Sequence, residues 1–203
     1  MKIFNSYTNK KEEFKPIEPG KCGIYVCGPT VYNYVHIGNT RPMIVFDVLR
    51  RTLEYLGYDV TFVSNYTDVD DKIIKKAKEE GVSEKELTEK YIKAYEDVRD
   101  GLNIEKPTFT PRVTQTMDKI IAFIADLIDK GYAYEADGDV YFRVPKIDDY
   151  GTLSGIKVDD LVNGASQRTA TADDAKKESP LDFALWKKTD EGIQFDSPWT
   201  TGR

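Results

Sequence analysis

The residues best suited to do chemistry crowd into two short stretches. In the first, Cys27-Gly28-Pro29-Thr30 leads to His36-Ile37-Gly38-Asn39, which contains the only histidine of the chain. A strand is expected to end at Cys27 and a helix to begin near Asn39. In an open parallel sheet, ligands bind beyond the carboxyl ends of the strands, where helix N-termini present free N–H groups and partial positive charge. A phosphate chain suits such a place. His36 and Asn39 can donate hydrogen bonds to charge developing on a triphosphate, and Gly38 lets a bulky planar group approach the backbone. By residue type alone, a histidine before a helix is more simply a surface or capping residue.

The second stretch is Asn65-Tyr66-Thr67-Asp68-Val69-Asp70-Asp71-Lys72. Its three carboxylates invite a metal, but ahead of a helix starting at Lys72 they suit capping and the positive end of the helix dipole. Thr30 and Thr67 are by type turn or helix caps. Tyr32, Tyr34 and Tyr66 could stack on a base, and packing is the plainer use for aromatics near a sheet edge. The lysines at 72, 75, 76 and 78, mixed with Glu79 and Glu80, read as a solvated helix face.

The two cysteines, Cys22 and Cys27, share one expected strand. Their odd spacing points them to opposite faces, about 16 Å apart at roughly 3.3 Å per residue, too far for a disulfide or a shared metal ion. On residue type alone, Cys27 is a small hydrophobe at a strand end.

The elements that must position these groups follow from patterning. From Ile24 to Leu56 the chain reads strand, glycine-containing turn and helix, with Asn39 or Thr40 as N-cap and Pro42 in the first turn. Val45, Val48, Leu49, Leu53 and Leu56 recur at helical spacing, and Gly57 ends the run. A second strand over Asp59-Val60-Thr61-Phe62-Val63-Ser64 completes a βαβ unit. Further helices are expected over Lys72–Glu80, from Glu84 to about Leu102 behind the Ser83/Glu86 capping box, and over Thr114–Lys130. A hairpin is expected at 132–143 around Asp137-Gly138, a polar mobile loop at 163–179, and a short helix from Asp182 to Trp186 behind Ser179-Pro180.

With 203 residues, 40% hydrophobic and 12% aromatic, the chain can bury one good core or a core with a subdomain. Its 29 basic and 35 acidic residues give a net charge of −6, so nothing global announces a nucleic-acid binder. No leader-like apolar run opens the chain, and none reaches the ~20 apolar residues of a membrane span. A cytoplasmic protein without a membrane partner is expected.

The run from Tyr25 to Asn39 resembles the signature of class I aminoacyl-tRNA synthetases, in the form found in cysteinyl-tRNA synthetases. Asn65 to Lys72 looks like that family's second signature, and Pro180-Leu181-Asp182-Phe183-Ala184-Leu185-Trp186-Lys187 looks like a third. The resemblance implies an α/β fold, the first half of a Rossmann-like parallel sheet over 1–105. It further implies part of an inserted connective α+β subdomain over 106–190 and a return toward the catalytic domain over 191–203. It implies activation of L-cysteine by ATP, accompanied by magnesium, and transfer to tRNA(Cys). His36, Gly38 and Asn39 would bind ATP, with His36 and Asn39 catalytic. Cys27, Gly28, Thr30 and Thr67 would face the substrate cysteine. Cys27 would also be a zinc ligand, with the remaining ligands beyond Arg203, so the chain by itself is expected to be inactive. The alternatives are a ligase joining cysteine to an amino sugar in mycothiol synthesis, and a non-catalytic fragment.

Overall fold

The computed structural model describes residues 1–156 and 175–203. Of the loop expected over 163–179, residues 163–174 lie outside the described residues. In chain order, the strands β1 (Lys2–Asn5), β2 (Lys10–Glu13) and β3 (Lys21–Val26) precede helix α1 (Ile37–Tyr55) and strand β4 (Asp59–Ser64). Next come α2 (Asp71–Glu80), α3 (Glu84–Gly101) and α4 (Val113–Asp129), then β5 (Ala133–Ala136), β6 (Asp139–Phe142) and β7 (Phe183–Trp186). The chain divides into two units, one of residues Lys15–Met117 and one of Met1–Phe14 with Asp118–Arg203.

The first unit is the βαβ arrangement read from the patterning. β3 and β4 pair in parallel from Lys21↔Asp59 to Val26↔Ser64, with α1 as the crossover. The parallel pairing is prolonged by isolated bridges, Thr30↔Thr67 at the strand ends and Val63↔Phe109 and Tyr66↔Arg112 on the other side of β4. Ionic contacts anchor α1 to the 103–106 segment. Arg51 meets Asp47 at 2.7 Å and Glu105 at 3.0 Å, the Glu105 N–H donates to Asp47 Oδ1 (2.9 Å), and Arg50 donates to the Lys106 carbonyl (2.7 Å). Such partly exposed pairs contribute about 0.2–1 kcal/mol each, enough to fix a direction of approach but not a fold.

The core of this unit gathers Val31, Tyr66, Ile73, Ala77, Leu87, Tyr91 and Ile92. Tyr66 therefore packs rather than stacking on a base. Its ring meets Tyr95 edge-on at 5.8 Å, and burial pushes its hydroxyl pKa up. α2 is capped by Asp70, which accepts from the Lys72 N–H at 2.8 Å, and ends at left-handed Gly81. α3 has the expected box, in which Ser83 and Glu86 cap each other's backbone. Asp68 departs from its expected part. It turns away from α2 and, buried, accepts from the Thr114 N–H (3.1 Å) and Oγ1–H (2.6 Å) at the start of α4.

In the second unit β1 and β2 form an antiparallel hairpin that patterning did not suggest. β5 and β6 form the expected one, with positive φ at both Asp137 (55°) and Gly138 (85°), the geometry that an Asp-Gly turn supplies. The helix expected over Asp182–Trp186 is instead β7, antiparallel to β6. Ser179-Pro180 starts a turn, not a helix, because Asp182 is drawn inward. Its carboxylate accepts from Tyr134 Oη (2.8 Å), the Val144 N–H (3.0 Å) and the Ser179 N–H (3.0 Å). Phe183 then stacks on Phe142 at 5.1 Å, and Trp186 is fully buried. Pairing and burial outweigh local helix preference here.

α1 differs from its pattern in what it buries. Leu53 is buried, whereas Ile44, Val45 and Val48 remain 43%, 54% and 57% exposed. A two-stranded sheet is too narrow to cover the whole apolar side of a 19-residue helix. Contiguous exposed apolar surface of this kind drives association. We predict that the isolated chain self-associates at micromolar concentration, and that Ile44→Glu with Val48→Glu shifts it toward monomer without loss of far-UV circular dichroism. A monomeric parent chain in sedimentation would contradict this. Loss of the buried Asp182 acceptor should cost about 2–4 kcal/mol in Asp182→Ala, since three donors lose one partner. A denaturation midpoint equal to the parent's would show that those bonds carry no stability.

Candidate functional site

The site candidates of the first unit cluster where β3 and β4 end and α1 begins. α1 starts three residues earlier than the patterning indicated. Its N-cap is His36, not Asn39 or Thr40. The Gly38 N–H donates to His36 Nδ1 at 3.0 Å, and the His36 N–H donates to Asn39 Oδ1 at 3.0 Å, a reciprocal box in which an imidazole replaces the usual hydroxyl or carboxylate. With Nδ1 accepting, the neutral ring carries its proton on Nε2. The same box uses the acceptor end of the Asn39 amide and leaves its NH2 end as donor. Neither Nε2–H of His36 nor the NH2 of Asn39 has a partner among the described residues. Both side chains are exposed at the positive end of α1.

Gly38 has a local reason to be glycine. A Cβ there would lie 2.7 Å from His36 Cε1 and 2.9 Å from Nδ1, so any larger residue pushes the imidazole out of its cap. Gly28 is held more tightly still. A Cβ would fall 1.6 Å from the Asn65 carbonyl oxygen, a contact no side chain can make.

Cys27 lies one residue past β3 and is exposed, while Cys22 is buried within it, and both thiols are free. Burial pushes the Cys22 thiol pKa up, which suits packing rather than reactivity. Thr30 and Thr67 face each other as a bridge pair, with the Val31 N–H donating to the Thr67 carbonyl (3.2 Å) and the Thr67 N–H to the Pro29 carbonyl (3.1 Å). Cys27, Gly28, Gly38 and Asn39 line one cavity of about 220 Å³, with Phe62 and Tyr66 among its apolar wall. Thr30, His36 and Thr67 stand outside that lining. The cavity also has a charged side, from Asp47, Arg50, Arg99 and Glu105, that patterning did not single out. Asp47, Arg50 and Arg99 have partners nearby in sequence, Arg51, Glu54 and Asp100, whereas Glu105 joins them only once the 103–106 segment folds against α1, a juxtaposition with no local sequence signal.

A residue missed by the sequence reading is Asn65, just past β4. Its Oδ1 accepts from the Gly28 N–H and from Tyr25 Oη, both at 2.9 Å. Its place inside the Asn65–Lys72 stretch was the available signal. Tyr32 packs against the core, with Lys72 over its ring at 5.5 Å, whereas Tyr34 meets Tyr91 edge-on at 5.1 Å but stays 64% exposed.

Zinc needs about three protein ligands beside a substrate. Among the described residues no group of three His, Cys, Asp or Glu side chains could hold a metal ion, and Cys27 offers one thiol. The described residues do not by themselves fit zinc. Among the described residues no helix is long and apolar enough to cross a membrane.

Comparison with known proteins identifies the family. Residues 13–203 match the family model for the class I tRNA synthetase (C) catalytic domain. A cysteine–tRNA ligase of Ligilactobacillus salivarius is 55% identical over the whole chain, and one of Oenococcus oeni 57%. One of Shouchella clausii is 58% identical. The chain spans 43% to 44% of the length of these relatives. Among solved structures, a LeuRS of Agrobacterium radiobacter K84, in ternary complex with tRNA and LeuAMS, superposes with a TM-score of 0.51 at 22% identity. That match covers 66% of this chain and 18% of the LeuRS, and shows a shared fold. With a βαβ core, a reciprocal cap at α1 and a family match over nearly its full length, the chain belongs to the class I (C) tRNA synthetase catalytic domain family.

Proposed function

We propose that this chain is the N-terminal part of a cysteine–tRNA ligase, a cytoplasmic enzyme that activates L-cysteine with ATP and transfers it to tRNA(Cys). The observation that carries the reading is the pair of free donors at the mouth of α1, His36 Nε2–H and the Asn39 NH2, held in place by a cap that consumes only their acceptor ends. The cysteine–tRNA ligases that match the whole chain support the substrate.

In this reading ATP lies with its phosphates at the N-terminus of α1. The carboxylate of cysteine attacks the α-phosphorus and pyrophosphate leaves; a hydroxyl of the terminal ribose of the tRNA then attacks the acyl carbon of the adenylate, and AMP leaves. The protein's share of such a reaction is positioning and charge stabilisation. His36 and Asn39 donate to phosphate oxygens as negative charge grows on them, and the α1 dipole adds to their effect. Gly38 keeps the imidazole in its cap. Cys27, Gly28, Thr30 and Thr67, at the ends of the two parallel strands, face the amino-acid substrate. Magnesium would accompany the ATP as part of the substrate. If the full-length enzyme holds zinc, Cys27 would supply one thiolate to it, and the metal would there bind the thiolate of the substrate cysteine.

In the full-length enzyme, His36→Ala and Asn39→Ala should each slow cysteine-dependent pyrophosphate exchange about a hundredfold to a thousandfold, the usual cost of one donor to developing charge. Exchange within threefold of the parent in both variants would sink the assignment. Cys27→Ser should lower zinc content and cysteine affinity together while sparing ATP binding. Full zinc occupancy in a folded Cys27→Ser protein would reduce Cys27 to packing. The isolated 203-residue chain should hold no stoichiometric zinc and catalyse no exchange. One zinc per chain by elemental analysis would contradict the count of one ligand. Replacing tRNA(Cys) by an amino sugar in a single-turnover assay checks the acceptor, and transfer to the sugar would overturn the tRNA reading.

A further inference from the structure

We propose that Asn65 is a positioning residue for cysteine recognition, a role that rests on the reading of Cys27 and Thr67 as parts of the cysteine site. The parallel ladder of β3 and β4 closes its regular register at Val26↔Ser64 and resumes at Thr30↔Thr67. Between these pairs the first strand contributes three residues, Cys27, Gly28 and Pro29, and the second contributes two, Asn65 and Tyr66. One residue is in surplus on the cysteine-bearing side. A surplus residue cannot follow the ladder, and in bulges generally it re-aims the side chains beside it.

Asn65 stabilises that irregularity by replacing the missing ladder bonds with its own amide. Its Oδ1 accepts from the Gly28 N–H (2.9 Å), which the interrupted pairing would otherwise leave without a backbone acceptor, and from Tyr25 Oη (2.9 Å). Its Nδ2 reaches toward Thr67 Oγ1 at 3.4 Å, at the outer limit of a hydrogen bond. Its backbone carbonyl fills the space that a Gly28 side chain would need. One residue thus touches the peptide that follows Cys27 and the hydroxyl of Thr67, the two places where the strands present groups to cysteine. It touches neither His36 nor Asn39. Loss of its amide should therefore act on cysteine and leave ATP alone.

The test uses the full-length enzyme in pyrophosphate exchange, with separate KM values for cysteine and ATP. Asn65→Ala should raise the KM for cysteine about tenfold to a hundredfold, the usual consequence of leaving a half-buried N–H without its acceptor. The KM for ATP should stay within twofold. A folded Asn65→Ala enzyme with a parent-like cysteine KM, or with both KM values raised alike, overturns the proposal. Tyr25→Phe provides a milder arm, since Tyr25 is exposed and its loss leaves the Gly28 bond in place. If Asn65→Ala does not fold, Tyr25→Phe decides. A cysteine KM at least doubled with ATP unchanged supports the role, and a parent-like value overturns it. Cys27→Ser run alongside separates the two levels. If Cys27→Ser is impaired for cysteine and Asn65→Ala is not, only the role of Asn65 falls. If neither is impaired, the cysteine-site reading fails and the role falls with it.

Discussion

The arrangement at this site depends on one mismatch in strand pairing. Three residues separate Val26 from Thr30, but two separate Ser64 from Thr67, and Val26↔Ser64 and Thr30↔Thr67 both pair in parallel. The extra residue has to be absorbed within the Cys27-Gly28-Pro29 segment. Gly28 absorbs it, because its missing Cβ lets the Asn65 carbonyl come where no side chain fits. Pro29 suits the place as well, since it has no N–H to lose from an interrupted ladder. Everything downstream is registered from this point, including the Val31 N–H to Thr67 bond that steers the chain toward His36 and α1.

The second strand end is held from below by the core and from beside by a helix. Tyr66 anchors it among Ile73, Leu87 and Tyr91, while the next residue but one, Asp68, secures the first turn of α4 through Thr114. Alternation does the sorting. Tyr66 and Asp68 point inward and are buried, and Thr67 between them is only partly covered. A short stretch of backbone thereby serves packing with every second residue and leaves the intervening one partly exposed at the strand end.

Much of this was legible in the sequence wherever the signal was local. The β-branched run of β4, the Ser83/Glu86 box, Gly81 and the Asp137-Gly138 turn each state their conformation within a few residues. What escaped depends on partners far along the chain. Asp68 meets a threonine 46 residues away, Asp182 meets Tyr134 48 residues away, and β7 forms because β6 is there to pair with it. The start of α1 escaped for a chemical reason. Histidine seldom serves as an N-cap acceptor, so residue type favours Asn39 or Thr40, and Asn39 takes part in the same box from its other side. The register surplus that gives Asn65 its place becomes visible only when two strands are laid side by side.

The reciprocal cap of α1 also has a thermodynamic consequence. The imidazole of His36 and the amide of Asn39 are each tethered by one end, so their rotamers are already selected before any ligand arrives. Immobilising a side chain at a binding interface costs about 0.5–1.5 kcal/mol of conformational entropy. At this helix mouth that cost falls on folding, so the two donors have little freedom left to lose whenever anything binds them.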